Sequence, residues 1–450
     1  MMKATTIIYQ VIFASLLLVG CTKIDLCDEG THPHVVEGFS VTYNWSDLNL
    51  SAAETPERLY FVATRILNTR HMVYQTDKDG RFLVEKSKDE EPGTTPGGDS
   101  SETPGDDSVT RDDSGTETPD GGTEPTDEYQ PDIKLPGGEY FMMAFTDPKY
   151  PKVKVTKKDD KGNDLKDNDG KVIQVEEEDK RVSLVGLDEF KADEAIPVRQ
   201  VKMRHKEVVQ KDVSKELVDN RKWADLNPGI GYVKDAGRRL LVARRDYLEL
   251  DAGKNYIQPF DFTSLTQHVD IQFTVQLAAD EKNNQLAEDD IQDIYVEMAG
   301  IAPEVSLSTG ILNIAELKRV IVKVIEKEVS QSAEGEKPVV TLSCKASLEV
   351  FGLIGGVDSY TITGPGVCCI VLYVKTPTDV RAIHAKSNLS KQIKEQEITV
   401  ETGQVNERKK VKDRAALKIE TPFRIVGLNP EMGSDGVCGW EVVGDIHVDI

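Results

Sequence analysis

The sequence has few of the residues on which catalytic and metal sites depend. Its 450 residues include seven histidines and six cysteines. There is no Gly-x-Ser-x-Gly turn, no glycine-rich phosphate loop and no His-Glu-x-x-His motif, so the common hydrolase, nucleotide-binding and zinc-protease signatures are absent. Carboxylates are so abundant that a pair of them carries no information. We therefore predict a protein that is not an enzyme, with no catalytic residues, no metal site and no cofactor.

Positive charge is also scarce. The chain has 78 acidic and 55 basic residues, which gives a net charge of -23. This balance argues against nucleic acid as a partner and against an electrostatic grip on anionic lipid, since both surfaces would repel the chain. The length suggests two or three domains and is sufficient to bury a sizeable core.

Long apolar runs are missing except at the N-terminus. Ile7 to Val19 are almost all apolar and follow a positively charged start, and Gly20 leaves a small residue before Cys21. This is the layout of a secretory signal, and its apolar core is too short for a comfortable membrane span. One interpretation is an ordinary secretory signal in which the cysteine is coincidental.

The favoured interpretation is a lipoprotein signal, because Leu18-Val19-Gly20-Cys21 resembles a bacterial lipobox. The resemblance implies a signal peptide over residues 1–20 and a mature chain that begins at a lipidated Cys21. Acidic residues follow, in a pattern similar to the export signal of surface lipoproteins in Bacteroidetes: Asp25, Asp28 and Glu29. We therefore expect a lipid anchor in the outer membrane and a chain that faces the cell exterior.

Negative charge is concentrated in one tract. Residues 88–132 hold fifteen acidic residues and two basic ones, which is more than half of the net charge. The tract is rich in Pro, Gly, Ser and Thr and cannot bury enough apolar surface to offset the entropy of ordering it. We predict a disordered acidic insertion over residues 87–132, a solvated spacer rather than a calcium site, because EF-hand spacing is absent. Within it, Asp107-Ser108-Val109 resembles an O-glycosylation site of exported Bacteroidetes proteins, which makes Ser108 a candidate.

Alternation of apolar and polar residues dominates the rest of the chain. It is clearest in Phe39 to Trp45, Val269 to Leu277 and Val340 to Val350, whereas Gly366 to Val374 is apolar on both faces and suits a central strand. Val213 to Leu226 is the best candidate for a helix. These patterns predict an all-β protein built from antiparallel β-sandwiches.

We place the boundary between two domains near Gln258 to Leu265, which gives an N-terminal domain over 21–258 and a C-terminal domain over 265–450. The acidic insertion falls within the first domain, because a strand resumes after it at Glu139 to Phe145. Two basic pairs, Arg238-Arg239 and Arg244-Arg245, flank Leu240 to Ala243. They are interpreted as solvated strand edges, with protease sensitivity as the alternative.

Cys368 and Cys369 are adjacent, so in a strand they point to opposite sides and neither bond to each other nor act together. A disulfide from one of them to Cys344 or Cys438 is favoured, since the expected compartment is oxidising. With Cys21 lipidated, five cysteines remain, so at least one stays free or pairs between molecules. The connectivity is left open.

Several short motifs recur in an order that resembles one family. They are Cys27, His32-Pro33-His34, Asn44-Trp45, Met298-Ala299-Gly300, Leu307-Ser308-Thr309-Gly310, Val350-Phe351-Gly352-Leu353 and a C-terminal strand ending at Ile450. Their order resembles a group of Bacteroidales fimbrillin-like surface lipoproteins that has no assigned function. The resemblance implies two antiparallel transthyretin-like β-sandwich domains, and Cys27 with its histidines then belongs to a family signature rather than to a zinc site.

The same resemblance implies a role beside other fimbrillin-like subunits, which would bind by strand exchange. No arginine cleavage site precedes a removable N-terminal strand, so an anchor or accessory subunit of a fimbria-like adhesive assembly is favoured over a polymerising one. The alternative is a glycan-binding or host-ligand-binding surface lipoprotein on the same fold.

Overall fold

The computed structural model describes residues 34–51, 54–84, 128–147, 149–150, 152–157, 165–167, 170–186, 200–208, 231–334, 337–358, 360–375, 380–427, 429–430 and 437–446. Regular structure in these residues is nearly all β-strand, which confirms the all-β prediction. The short helix α1 spans Ser390–Glu395. Within the described parts of the chain, no helix is long and apolar enough to cross a membrane. The signal peptide and the helix predicted over Val213 to Leu226 lie outside them.

In chain order, the strands are β1 (Gly38–Asn44), β2 (Arg58–Arg65), β3 (His71–Asp77), β4 (Phe82–Leu83), β5 (Tyr129–Gln130), β6 (Gly138–Thr146), β7 (Lys152–Thr156), β8 (Gln174–Glu178), β9 (Val182–Val185), β10 (Lys202–His205), β11 (Tyr232–Val233), β12 (Leu241–Leu250), β13 (Asn255–Asp261), β14 (Thr263–Ser264), β15 (Gln267–Ala278), β16 (Ile291–Ile301), β17 (Glu304–Ser306), β18 (Ile311–Asn313), β19 (Lys318–Lys323), β20 (Glu326–Glu334), β21 (Lys337–Val350), β22 (Val367–Lys375), β23 (Val380–Asn388), β24 (Thr399–Glu401), β25 (Glu407–Lys410), β26 (Arg414–Lys418), β27 (Phe423–Val426), β28 (Asn429–Pro430) and β29 (Val437–Ile446).

A seven-stranded antiparallel sheet organises the first half of the chain, in the order β14-β12-β6-β2-β3-β4-β5. One face of this sheet packs under β1 and β13, which pair with each other in parallel. Phe61 of β2 contacts Phe39 and Phe260 there, with ring centroids 5.9 and 5.7 Å apart. These fully buried rings form an aromatic core, which explains the alternation at Phe39 to Trp45.

Both ends of the acidic tract lie in this sheet. The short strands β4 and β5 are neighbours, and the Val84 N–H donates to the Glu128 carbonyl at 2.9 Å. The sequence placed Tyr129–Gln130 inside the disordered insertion, but these residues form β5, so that end of the prediction was wrong. Tyr129 pairs with Leu83 and receives the Arg81 guanidinium over its ring at 5.6 Å, contacts that composition does not reveal.

Two sheets pack face to face in the second half of the chain. One has the order β20-β21-β15-β27-β28 with β26 also on β15, and the other has the order β11-β19-β16-β22-β23-β29. Their shared core includes Val275, Leu342, Met298 and Ile370, all without solvent exposure. Every residue of β22 except the last is buried, as expected of a central strand. However, β26 and β27 run parallel to β15, so this sheet is mixed rather than purely antiparallel.

A third sheet combines strands from both sides of the predicted domain boundary. Its order is β24-β25-β18-β17-β10-β9, and Met203 of β10 pairs with Val305 of β17. A core between this sheet and the seven-stranded sheet includes Val62, Phe145 and Leu312. The two halves of the chain are therefore joined by a shared sheet and a shared core, and the boundary at Gln258 to Leu265 stays a prediction.

Candidate functional site

Most of the sequence-predicted modification sites lie outside the residues that the structure describes. These are Cys21, Asp25, Asp28, Glu29 and Ser108. Cys438 lies on β29, where the backbone is described and the side chains are not. Lipidation, surface export and glycosylation therefore stay predictions.

The remaining cysteines of the predicted set lie in the second-half sandwich. Cys368 faces the same core as Cys344, whereas Cys369 packs on the opposite face of β22, which confirms that the adjacent pair points to two sides. Cys344 and Cys368 are free thiols, so they are not bonded to each other. Burial raises the pKa of the Cys344 thiol to about 11 and holds the pKa of Cys368 far above its usual range. At neutral pH neither supplies the thiolate that a nucleophile or a metal ligand needs.

Two of the family-like motifs meet at one backbone crossing. Gly300 adopts a φ of 99°, and its carbonyl accepts a hydrogen bond from the Ile354 N–H at 2.8 Å. On either side, the Gly366 N–H donates to the Ala299 carbonyl and the Ala302 N–H donates to the Gly352 carbonyl, both at 3.0 Å. A Cβ atom at position 300 would lie 2.2 Å from the Ile354 carbonyl oxygen. Met298-Ala299-Gly300 and Val350-Phe351-Gly352-Leu353 therefore form one junction in which only glycine fits.

Arg239 fastens the two halves of the chain at a second point. Its Nε lies 3.1 Å from Ser264 Oγ, its Nη1 donates to the Leu48 carbonyl at 2.8 Å, and its Nη2 lies 3.2 Å from Asp413 Oδ2. The side chain is 6% exposed. The expectation of a solvated strand edge was wrong for Arg239, because residues far away in sequence, Leu48 and Asp413, bind its guanidinium and remove it from solvent.

A histidine lies between two carboxylates close to the contacts of Arg239. His268 Nδ1 lies 3.1 Å from Glu349 Oε2, and His268 Nε2 lies 3.2 Å from Asp270 Oδ1. The buried Glu349 also accepts a hydrogen bond from the Thr266 hydroxyl, and its carbonyl accepts one from the Ala236 N–H at 2.7 Å. The hydrogen bond to Glu349 is the main reason that the pKa of His268 is raised. The imidazolium form is therefore the one that the folded chain favours.

We expect the His268→Gln variant to be less stable than the wild type at low pH, and we expect this difference in stability to shrink as pH rises. A pKa that folding raises contributes stability that is fully present below the unfolded pKa of about 6.5 and is lost as pH rises through the folded pKa. The difference in Tm between wild type and variant should thus be largest at about pH 5.5, below this reference pKa, and smallest at about pH 8.5, well above it. The effect should stay below about 1 kcal/mol, because solvent screens the partly exposed ring. Exposed His34, changed to Gln, is the control, and a deficit that is equal at both pH values would contradict the assignment.

Buried His205 lies beside one of the cavities of the described structure. Buried His205 accepts a hydrogen bond from the Phe351 N–H at 3.2 Å, and burial lowers its pKa to about 3, so it is neutral at physiological pH. It borders a cavity of about 730 Å³ in which Lys318 is paired with Glu207 at 3.3 Å. Across the described ranges, no group of three or more His, Cys, Asp or Glu side chains is arranged to hold a metal ion.

The outer edge of β20 is the best candidate for an interaction surface, and we call it the β20 edge. β20 pairs with β21 on one side, and none of the other described strands pairs with it on the other side. It begins with the charged residues Glu326, Lys327 and Glu328 and continues as the uncharged stretch Val329 to Ala333. The free N–H and C=O groups of such an edge are a template for an added strand.

Comparison with solved structures finds folds that align along most of the chain. A candidate adhesin from Bacteroides ovatus is 11% identical, with a TM-score of 0.41, and the alignment covers 92% of this chain and 99% of that chain. A fimbrial assembly protein from Parabacteroides distasonis is 7% identical, with a TM-score of 0.31 and coverage of 90% and 93%. The fimbrial anchor protein Mfa2 from Porphyromonas gingivalis is 8% identical, with a TM-score of 0.27 and coverage of 87% and 90%.

No protein-family model matches the chain, and no curated protein matches its sequence at a significant level. The structural neighbours are adhesin-type and fimbrial proteins from Bacteroidales, the group that the sequence motifs resemble.

Proposed function

We propose that the protein is an outer-membrane lipoprotein that faces the cell exterior and acts as an anchor or accessory subunit of a fimbria-like adhesive assembly. The β20 edge is the observation that carries this proposal. The lipobox-like sequence before Cys21 supports the anchoring half of it, since the net charge of -23 offers no electrostatic hold on an anionic membrane.

The β20 edge suits the addition of a partner strand. The strand is nine residues long, and main-chain hydrogen bonds along such an edge supply affinity without requiring a particular partner sequence. Val329 is 40% exposed and stands in the uncharged stretch, where it offers an apolar contact to an added strand. The charged residues at the start of β20 oppose indiscriminate pairing with other edges. The partner we propose is a second fimbrillin-like subunit that contributes one strand.

Crosslinking and pull-down from intact cells test the proposal directly. An affinity tag is placed between residues 88 and 127, since both ends of this tract lie at one point of the seven-stranded sheet. Capture of β-rich subunits as a ladder of crosslinked species is the expected result. Capture of the protein alone would overturn the assembly role and would favour the alternative, a surface lipoprotein that binds a glycan or a host ligand.

Changing Val329 to lysine should weaken the ladder by about tenfold or more, because a charged side chain on an edge strand opposes strand addition at a cost of the order of 1.4 kcal/mol. The cost to the fold should be small, since Val329 is already 40% exposed at the edge of the sheet. Leu67, which is 84% exposed in the turn after β2, is the matched control when changed to lysine. Equal ladders from the two variants would show that the partner does not use the β20 edge.

A further inference from the structure

A cavity of about 1000 Å³ opens where the seven-stranded sheet meets the turn after β17. It lies between the strand pair β6–β12 and Leu307-Ser308-Thr309-Gly310, a motif to which the proposed function assigns no role. Phe141 of β6 and Tyr247 of β12 contribute aromatic rings to its wall, and Ser308 and Thr309 contribute hydroxyl groups. The cavity therefore combines apolar faces and hydroxyls at one point of the surface.

A β-bulge shapes the wall of this cavity. The register of β12 against β6 shifts between Arg245 and Leu248, which places Asp246 and Tyr247 opposite the single residue Phe141. Bulges re-aim side chains and are frequent beside binding sites. Here Tyr247 is 55% exposed, and its hydroxyl donates to Glu139 Oε1 at 2.9 Å, so the ring is accessible at the surface.

Arg244 places an unpaired positive charge in the wall. It follows Leu240 and Val242 on one face of the chain, and these two residues belong to the core between the seven-stranded and third sheets. Its Nε donates to the Leu307 carbonyl, and none of the described carboxylates lies within ion-pair distance of its guanidinium. Burial lowers the pKa of Arg244 to about 10, with Asp246 opposing the change. The Nη atoms, which form no ion pair with the described residues, can therefore bind an arriving carboxylate.

We propose that this cavity binds an acidic saccharide, with the sugar carboxylate on the Arg244 guanidinium. Guanidinium groups take carboxylates through two parallel hydrogen bonds. The Ser308 hydroxyl lies 3.2 Å from Ser306 Oγ, and the Thr309 hydroxyl accepts from the Ile311 N–H at 3.3 Å, so both keep hydrogen-bonding capacity for sugar hydroxyls. The exposed ring of Tyr247 supplies an apolar surface on which a sugar ring would pack. The inference goes beyond the assembly role, because it needs no fimbrial partner.

The test is calorimetric titration of the purified chain with trigalacturonate and with the neutral galactose trisaccharide, at low ionic strength. We expect trigalacturonate to bind at least about tenfold more tightly than the neutral sugar. Equal binding of the two sugars, or binding of neither, would overturn the proposal. A short acidic peptide is titrated in parallel, and binding of the peptide equal to that of trigalacturonate would overturn the saccharide as the ligand class.

The Arg244→Gln variant should bind trigalacturonate about tenfold more weakly or worse, because it removes the charge and the paired donors. Arg408→Gln is the matched control, since Arg408 lies on β25 and pairs with Glu401 at 2.8 Å. Thr309→Val, on an exposed turn, gives a second variant that keeps the fold if Arg244→Gln does not. Unchanged affinity in a folded Arg244→Gln protein would overturn the assignment. A failure of the pull-down from cells would leave these titrations unaffected, so the two proposals fail separately.

Discussion

Replacing Cys21 with alanine is expected to move the protein from the membrane fraction to the soluble fraction. Without the thiol there is no acceptor for the proposed diacylglyceryl group, and a net charge of -23 gives no electrostatic hold on anionic lipid. Of the described residues, none forms a helix that spans a bilayer. Fractionation of cells fed with labelled palmitate measures both the location and the lipid.

Cys27→Ala is the matched control for this variant, because it removes a neighbouring thiol and leaves the lipobox-like sequence intact. It should stay labelled and membrane-bound. Protease shaving of intact cells then reports the side of the membrane. A Cys21→Ala protein that keeps its label would place the anchor elsewhere, and a wild-type protein that resists shaving would contradict surface exposure.

Gly300→Ala should destabilise the fold by about 3–5 kcal/mol, a large part of the 5–15 kcal/mol that holds a typical domain together. Two effects add. The φ of 99° is unfavourable for any residue with a Cβ atom, and that atom would overlap the Ile354 carbonyl oxygen at 2.2 Å. Relief of the overlap would break the hydrogen bonds that join β16 to the chain after β21. Urea unfolding, followed by circular dichroism, measures the loss.

The glycine at 364 separates the two effects. Its φ of 93° is nearly the same, but a Cβ atom there would have no neighbour within 4 Å. Gly364→Ala should therefore cost only about 1 kcal/mol, the backbone part alone. If both variants lose equal stability, the crossing at Gly300 is not the tight contact that the structure describes.

Strands that bury one face were predictable from the sequence. In β15 and β21 the apolar residues alternate because one side of each strand faces the sandwich core, so period two reports the burial directly. β22 was predictable as a central strand because both of its faces are covered. In each of these strands, the pattern of apolar residues in the sequence matches the faces that are buried in the structure.

The sequence did not predict which strands pair with each other. β10 pairs with β17, and β1 pairs in parallel with β13, across long stretches of sequence. β10 and β17 have four and three residues, too few alternations to fix a register. In the seven-residue strands β1 and β13 the pattern indicates a strand but not its partner, which is decided by packing against neighbours. This is also why the third sheet, which joins the two halves of the chain, had no signal in composition or spacing.

Arg244 shows what sequence reasoning missed at the candidate saccharide cavity. Period two places it on the same face as Leu240 and Val242, both of which are buried, so the pattern already marked a charge on an inward face. Treating Arg244-Arg245 as one solvated pair hid that difference. The hydrogen bond from Arg244 to the Leu307 carbonyl could not be predicted, because Leu307 lies far along the chain from Arg244.

The hydrogen bond between Val84 and Glu128 brings the two ends of the acidic tract together at one point of the sheet. A cut anywhere between residues 85 and 127 would divide the seven-stranded sheet into two interleaved fragments. The fragment with β2, β3 and β4 would be clamped between β6 on one side and β5 on the other, both from the second fragment. If Cys21 on the first fragment carries the proposed anchor, a nicked molecule would transmit a pulling force from the proposed assembly to the membrane through strand pairing and core packing alone. We therefore expect two polypeptides that are divided within the acidic tract to reassemble through the pairing of β2 with β6 and of β4 with β5.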